Sequence, residues 1–383
     1  MSDRKQKIAV FSVSAGAGHV RAAQALQATA ERCYPDLEVV HVDLMELVPK
    51  LFRTVYADTY LKVVEHHPAF WGYLYDKTDR EKMDSALSRL RVAIERLNTQ
   101  KLKKVLKDLN PDQVICTHFL PAQLLSRKIR KGSFTRPLWV QVTDFDVHAL
   151  WLHNHITGYF AAHEEVAWRM AERGIPRESI RVSGIPIMPA FSESHDQAAC
   201  AAEFGLDPHR TTLLMMSGGA GVGGIDTLAE RLMLLDGDFQ VVALAGRNEQ
   251  LLAALQTVAA RHPGRLFPLG FTRVIERVMT ASDLAITKPG GLTTSECLAM
   301  GLPMIVVSPI PGQEERNADF LLENGAALKA CDAGALAYRV DRLLRNADEL
   351  ERLRNNARRL GRPDAARVVL DTILGRAGNE PDP

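Results

Sequence analysis

The chain has 383 residues, of which 46% are hydrophobic and 24% charged, and its formal net charge at pH 7 is +1. This length exceeds one ordinary domain and suits two of average size, which can bury large cores without a disulfide or a structural metal. The five cysteines are scattered and form no CxxC pair, so the pattern excludes a disulfide or zinc framework and indicates reduced thiols in the cytoplasm.

Charge is unevenly distributed along the chain. Residues 1–190 carry 27 Lys+Arg against 21 Asp+Glu, a net +6, and the remainder carries 20 against 25, a net −5. The basic first half indicates an anionic partner, although ordinary scatter between two domains gives the same numbers. A net charge near zero and the lack of a recognised motif argue against nucleic-acid binding.

Any membrane contact is expected to be peripheral. The polar N-terminus runs straight into a strand-like segment without a signal peptide, and no window approaches the roughly 20 apolar residues of a transmembrane helix. Residues 47–75 combine aromatic and basic side chains, as interfacial segments do, and basic runs follow at 101–107 and 127–136. The alternative is that these aromatic residues belong to the core and the lysines to a solvated helix face.

Strand-like and helical patterns alternate along the chain. Apolar runs at 7–14, 37–45, 111–119, 137–145, 157–162 and 180–186 predict one set of strands, and runs at 211–219, 239–246, 265–271, 283–291 and 303–308 predict another. Such alternation predicts α/β architecture with two Rossmann-like, doubly wound domains, which we expect to face a cleft. We predict a first domain at 1–192, a flexible linker at 190–200, a second domain at 200–362, and a terminal helix within 363–383 that packs back on the first domain.

Three loops of the second half each follow a predicted strand, where ligands bind in open α/β sheets. Residues 217–224 (SGGAGVGG) form a glycine-rich turn suited to a phosphate, or simply a tight turn. Residues 288–296 (KPGGLTTSE) place Glu296 where it can bind ribose hydroxyls, or where it only complements a helix dipole. Residues 309–318 (PIPGQEERNA) offer amides and carboxylates for sugar hydroxyls, or are only a polar loop.

The order of the glycine-rich loop, PLGF, KPGGLTTSE and PGQEERNA resembles the donor half of family 28 glycosyltransferases of the GT-B type. SAGAGHVRAAQA (14–25) and TDFDVHALWLH (143–153) are similar to the branch of monogalactosyldiacylglycerol synthases and bacterial diacylglycerol glucosyltransferases. The resemblance covers roughly residues 7–330. SGGAGVGG lacks the polar side chain that some relatives carry after the paired glycines, so the phosphate contacts are expected to be mostly from the backbone.

The resemblance implies an inverting transferase that moves a hexose from UDP-glucose or UDP-galactose to diacylglycerol and gives a β-glycolipid. It implies a donor site in which Ser217, Gly218, Gly219 and Thr293 approach the diphosphate, Phe271 and Thr272 hold the uracil, Glu296 binds the ribose, and Gln313, Glu314 and Asn317 read the sugar. Gly290 and Gly291 would bring a helix N-terminus close to the ligand, and Lys288 would neutralise phosphate charge unless it is a surface residue.

An inverting displacement needs a base on the acceptor side. His19 is the first candidate, because the positive helix end disfavours a second proton, and its alternative role is to cap or line the cleft. Asp144 is the second candidate base, or an ordinary turn cap. No cofactor or metal is expected, because His148, His153, His155 and His163 lack a zinc pattern.

We therefore predict a cytoplasmic enzyme that associates peripherally with an anionic membrane surface. Other functions stay open: a lipid-linked GlcNAc transferase, a UDP-sugar 2-epimerase that needs no lipid, or a UDP-sugar sensor without turnover. An intact His19 favours turnover over sensing.

Overall fold

The computed structural model describes residues 4–14, 16–48, 101–216 and 224–376. The chain divides into two compact units. The first contains the residues up to Pro189, the short segment Pro311–Gln313 and the residues from Asp364 onward, and the second contains Ala190–Ile310 and Glu314–Pro363. The predicted linker is not irregular throughout, because Asp196 accepts a hydrogen bond from the backbone N–H of Ala199 and starts a helix there.

The first unit contains a parallel six-stranded sheet in the order β2-β1-β3-β4-β5-β6. Its strands are β1 (Gln6–Ser12), β2 (Leu37–Asp43), β3 (Gln113–Cys116), β4 (Leu138–Gln141), β5 (Gly158–Ala161) and β6 (Ile180–Val182). Its helices in the described residues include α1 (Ala17–Cys33), α2 (Phe119–Arg130) and α3 (Glu164–Glu172), and residues 101–109 are also helical.

The second unit contains another parallel six-stranded sheet, in the order β12-β11-β10-β7-β8-β9. Its strands are β7 (Thr211–Met216), β8 (Phe239–Gly246), β9 (Leu266–Gly270), β10 (Leu284–Thr287), β11 (Met304–Val307) and β12 (Ala327–Ala330). Its helices are α4 (Gln197–Glu203), α5 (Ile225–Met233), α6 (Glu249–Arg261), α7 (Ile275–Thr280), α8 (Gly291–Ala299), α9 (Gln313–Glu323), α10 (Ala333–Arg345) and α11 (Ala347–Leu360). When the strands of this unit are numbered 1 to 6 in chain order and the sheet is read from β9, the strand order is 3-2-1-4-5-6, as in a Rossmann sheet.

The predicted α/β fold class is confirmed in both units. The strands read as near-continuous apolar runs because helices cover both faces of each sheet, and residues 8–11 of β1 are fully buried. The edge strand β12 was not predicted, since its sequence ALKA is short and has little of the β-branched composition that marks a strand.

The C-terminal helix α12 (Ala365–Ile373) packs in the first unit. Val369 and Leu370 are buried in the same apolar cluster as Ile8 of β1. The Tyr34 hydroxyl donates to Asp371 at 2.8 Å, and burial is the main cause that raises the pKa of Tyr34 to about 12. The helix is therefore anchored by both apolar and polar contacts.

None of the helices in the described part of the chain is long and apolar enough to serve as a bilayer-spanning segment.

Candidate functional site

The first sheet reverses its strand order between β1 and β3, and polar residues follow both strands at this point. His19 lies in the first turn of α1 after β1, and Thr117 and His118 follow β3. Thr143 follows the next strand, β4. The carboxyl ends of parallel strands at such a reversal are where open α/β sheets bind ligands.

His19 is the centre of this group. Its Nδ1 atom lies 3.0 Å from the carbonyl oxygen of Thr117 and 2.8 Å from the hydroxyl of Thr143. The Thr117 hydroxyl donates to the carbonyl oxygen of His19 at 2.8 Å, which ties the start of α1 to the end of β3. Contacts from two strand ends thus orient the imidazole.

These contacts determine the neutral tautomer of His19. A carbonyl oxygen only accepts hydrogen bonds, so Nδ1 carries the proton and donates it toward Thr117. The Nε2 atom then holds the lone pair. This is the arrangement that a histidine needs in order to accept a proton through Nε2.

Burial keeps this imidazole neutral. The pKa of His19 falls from 6.5 to about 4, chiefly because desolvation disfavours the charged ring, while the hydrogen bond to Thr117 acts in the opposite direction. The ring of His118 contacts that of His19 edge-on, with centroids 4.6 Å apart. Burial, and to a lesser degree the proximity of His19, lowers the pKa of His118 well below its usual value.

Several other histidines of the first unit start helical turns. Nδ1 of His118, His148 and His163 accepts from the backbone N–H two residues later, at 3.0, 3.1 and 3.3 Å respectively. His153 contacts the carbonyl oxygen of Phe119, and His155 is exposed. Among the described residues, no three histidine, cysteine, aspartate or glutamate side chains form a potential metal site.

Asp144 is half-buried and directly follows Thr143 in the chain. The residue takes part in at least one polar or electrostatic interaction in the structure. Thr143 contacts His19, and Asp144 is the next residue after Thr143. The second candidate base is therefore adjacent in sequence to a residue that contacts the first. Its role stays a prediction.

The second sheet reverses its order between β7 and β10. The glycine-rich loop joins the end of β7 to α5, and Ser217, Gly218 and Gly219 lie outside the described residues. Gly224, directly before α5, has a left-handed backbone with φ of 62°, which favours glycine. The KPGGLTTSE segment follows β10, so these two segments leave adjacent strands at the same edge of the sheet.

KPGGLTTSE forms the start of α8. Gly290 is the N-terminal cap residue and supplies no side chain to the helix end. Its φ of −63° suits any residue, and a β-carbon there would lie 3.8 Å from the nearest atom, Oε1 of Glu314, which is an ordinary contact. Gly291 is buried, Thr293 is half-buried and Glu296 is 8% exposed. The N-terminus of α8 thus carries no side-chain cap.

Helix α9 holds this segment in place. The amide of Asn317 donates to the carbonyl oxygen of Pro289 at 3.0 Å, and Glu314 accepts from the backbone N–H of Ile310 at 2.7 Å. Burial raises the pKa of Glu314, while the positive charge of Lys288 and the Ile310 hydrogen bond oppose that rise. Gln313 begins the helix. Asn317 and Glu314 therefore position the loops, in addition to any contact with a sugar.

Phe271 and Thr272 follow β9 at the same edge of the second sheet. The Phe271 ring is 56% exposed, and the guanidinium of Arg247 lies over it at 4.7 Å from the ring centroid. The Thr272 hydroxyl accepts from the backbone N–H of Val274 at 3.1 Å. An exposed ring at a ligand-binding edge is available for stacking on a base.

Sequence reasoning missed four residues of these groups: Thr117, His118, Thr143 and Arg247. In the structure each lies within two residues of a strand end. The patterns extended β3 and β4 over Thr117, His118 and Thr143, so these residues read as strand positions. The structure ends those strands earlier and leaves the polar side chains beyond the sheet.

The two halves of the chain match different family models. Residues 19–187 match the family model described as monogalactosyldiacylglycerol (MGDG) synthase, and residues 203–360 match that of glycosyl transferases group 1. The processive diacylglycerol beta-glucosyltransferase of Bacillus subtilis (strain 168) is 29% identical over 374 residues, covering 96% of this chain and 95% of the relative. The protein of the same name from Bacillus cereus (strain 03BB102) is 29% identical over 99% of this chain and 96% of the relative.

Solved structures share the fold at low sequence identity. Acinetobacter baumannii MurG superposes with a TM-score of 0.65 at 17% identity, covering 97% of this chain and 99% of that one. The UDP-GlcNAc 2-epimerase of Neisseria meningitidis, bound to UDP-GlcNAc, gives 0.62 at 14%, covering 97% and 100%. Since a transferase and an epimerase match almost equally, these superpositions establish the fold alone.

Proposed function

We propose that this chain, a GT-B-type glycosyltransferase similar along its length to processive diacylglycerol β-glucosyltransferases and over residues 19–187 to monogalactosyldiacylglycerol synthases, uses diacylglycerol in an anionic membrane as its acceptor. It is a UDP-sugar-dependent glycosyltransferase. We further propose UDP-glucose or UDP-galactose as the donor and a β-glycosidic linkage in the product. The names of the Bacillus relatives support glucose and the β-linkage, and the family model matched by residues 19–187 supports galactose.

The observation that carries the mechanism is the neutral, oriented imidazole of His19. The acceptor hydroxyl must lose a proton as it attacks the anomeric carbon, and Nε2 of His19 has the lone pair to take it. A base with a pKa of about 4 is weak, so the proton moves once the new C–O bond is well advanced and the hydroxyl has become acidic. The Thr117 carbonyl then stabilises the charged ring through Nδ1–H.

The donor site is proposed at the carboxyl edge of the second sheet. The N-terminus of α8, which no side chain caps, suits an anionic phosphate group because its backbone N–H groups and the helix dipole favour negative charge there. Glu296 would accept the ribose hydroxyls, and Phe271 and Thr272 would hold the uracil. These contacts stabilise UDP as it departs and require no metal or cofactor in this proposal.

A basic surface of the first unit supports the membrane proposal. Burial, followed by repulsion from Lys103 and Lys131, lowers the pKa of Lys128, so these three cations lie close together. Each basic side chain near an anionic leaflet contributes about 1 kcal/mol of binding free energy. Residues 47–75 lie outside the described residues except for Leu47 and Val48, so their predicted interfacial role rests on sequence alone.

One assay tests acceptor and site together. The protein is incubated with diacylglycerol vesicles and each of UDP-glucose, UDP-galactose and UDP-GlcNAc, and glycolipid is measured for the wild type, His19→Ala and Glu296→Ala. We expect one β-glycolipid, lost by at least about 100-fold in His19→Ala. His155→Asn, which changes an exposed histidine of the same unit, should retain full activity. Full activity of His19→Ala would reject His19 as the base.

The membrane contribution needs its own measurement. Replacing Lys103, Lys128 and Lys131 with glutamine should release the protein from anionic vesicles at a lower salt concentration while UDP binding is unchanged. Equal retention of the wild type and the variant on these vesicles would reject this surface as the membrane contact.

A further inference from the structure

Arg247 and Phe271 are placed side by side by an irregularity at the end of β8. The pairing of β8 with β9 shifts register between Leu244 and Gly246, so that Gly246 pairs with Gly270. Gly246 has φ of 58°, a backbone conformation that favours glycine. Arg247 directly follows Gly246, and Phe271 directly follows Gly270. The Arg247 guanidinium therefore lies over the Phe271 ring, 4.7 Å from the ring centroid. Such bulges often re-aim a side chain beside a functional site.

The ring holds the guanidinium without neutralising it. Cation–π contact and planar stacking orient an arginine while leaving its N–H groups available for other partners. In the described part of the chain, no hydrogen bond or ion pair occupies the Arg247 guanidinium. Arg247 therefore presents an oriented positive charge at the edge where β7, β8 and β9 end side by side.

The donor site needs such a charge. A nucleoside diphosphate is strongly anionic, and the expected phosphate cation, Lys288, also lies near the buried Glu314, whose pKa is raised by burial and partly lowered by the Lys288 charge. The glycine-rich loop, which is expected to contribute mainly backbone N–H groups, follows β7, the strand adjacent to β8.

We propose that Arg247 binds the diphosphate of the UDP-sugar, with Phe271 acting as the platform that orients its guanidinium. The inference rests on the proposed donor site and adds to it a residue that no sequence motif indicated. The planar fork of arginine donates two parallel hydrogen bonds to a phosphate, and its charge stabilises the UDP leaving group as the glycosidic bond breaks. Arg273 on the neighbouring loop is also exposed, but no ring contact in the described structure orients it.

Calorimetric titration with UDP and with uridine separates a phosphate contact from a nucleoside contact. Arg247→Gln should weaken UDP binding by about tenfold or more, because a charge-assisted contact is lost, and should leave uridine binding within about twofold. Arg247→Lys should be intermediate, since it keeps the charge but not the fork. Arg261→Gln is the matched control, because Arg261 is an exposed arginine at the opposite end of α6.

The outcomes distinguish this inference from the function on which it rests. Unchanged UDP affinity in Arg247→Gln, or equal losses for UDP and uridine, would overturn the phosphate contact while leaving the donor site intact. A wild-type protein that binds neither ligand would overturn the donor site itself. The unfolding temperature of each variant should match that of the wild type. A loss of affinity in a variant is then not caused by a loss of folded protein.

Discussion

The Nδ1 atom of His19 lies 3.0 Å from the carbonyl oxygen of Thr117, and this contact directs the lone pair of the imidazole to Nε2. No side-chain carboxylate supplies this contact. The ring is supported by a backbone carbonyl and by the Thr143 hydroxyl, 2.8 Å from the same nitrogen. A neutral partner orients the ring without raising its pKa as strongly as a carboxylate would, which agrees with the pKa of about 4.

Removing the Thr143 hydroxyl should slow catalysis without weakening substrate binding. Thr143→Val keeps the shape of a side chain that is 5% exposed but deletes one oxygen beside Nδ1. A hydrogen bond worth about 0.5–1.5 kcal/mol corresponds to a loss of roughly 2–12-fold in kcat, with KM unchanged. Thr143→Ser should restore the rate, because it returns the hydroxyl. A rise in KM with constant kcat in Thr143→Val would assign Thr143 to binding instead.

Activity should persist into acidic conditions. His19 must be neutral to accept a proton, and its pKa is lowered to about 4, so the acid limb of the kcat/KM profile should fall near pH 4. An unperturbed histidine would place that limb at roughly pH 6.5. The measurement is kcat/KM from pH 4 to pH 8, and a limb at pH 6.5 would contradict the described environment of His19.

Stability should decline over the same acidic range. The pKa values of His19, His118 and His163 are all lowered in the fold, chiefly by burial, so the unfolded chain binds more protons below roughly pH 6.5. This contribution is fully present above that pH and is lost as the pH falls toward the folded pKa. Thermal unfolding at pH 5 and pH 7.5 should therefore show a lower Tm at pH 5, and rate measurements need this control. An equal or higher Tm at pH 5 would contradict the burial of neutral histidines.

Asn317 should contribute to the stability of the fold as well as to binding of the donor sugar. It is fully buried, and Asn317→Ala leaves the Pro289 carbonyl without the amide that now donates to it. The expected loss is about 1–3 kcal/mol in the free energy of unfolding. Chemical denaturation measures this loss, and a comparison of donor sugars measures any role in selectivity. Unchanged stability with an altered donor preference would show that Asn317 binds the sugar and does not stabilise the loop at Pro289.

The C-terminal helix should stabilise the first unit. Leu370 is 1% exposed and packs in the cluster that contains Ile8 and Val10. Leu370→Ala should cost about 2–5 kcal/mol of unfolding free energy, since it removes buried apolar groups and leaves a cavity. Val368→Ala on the same helix truncates a half-buried residue outside that cluster and serves as the control. Equal denaturation midpoints for Leu370→Ala and the wild type would contradict the packing of α12.

The sequence was sufficient for the α/β alternation, because apolar runs covered on both faces leave an unambiguous pattern. It was insufficient for β12, whose four residues lack a strand composition, and for the strand ends, where Thr117 and Thr143 continue an apolar run without a break. The place where a strand ends depends on pairing with its neighbours, which no local pattern records.

The residues of the candidate site also differ in whether the sequence could predict them. His19 and Glu296 were predictable because each lies in a glycine-bordered motif directly after a strand. Arg247 was not, because its position over Phe271 depends on a register shift between two strands about 25 residues apart in the chain, and long-range pairing is invisible to a local motif. The buried contact of Asn317 with Pro289 is of the same long-range kind.

We propose that sugar moves from UDP to a membrane lipid in one coupled step. The most direct test measures released UDP and lipid-bound hexose in the same reaction, with and without diacylglycerol vesicles. We expect equal amounts of the two products, both dependent on the lipid and both lost in His19→Ala. UDP release that is unaffected by vesicles and yields no glycolipid would contradict transfer to the lipid.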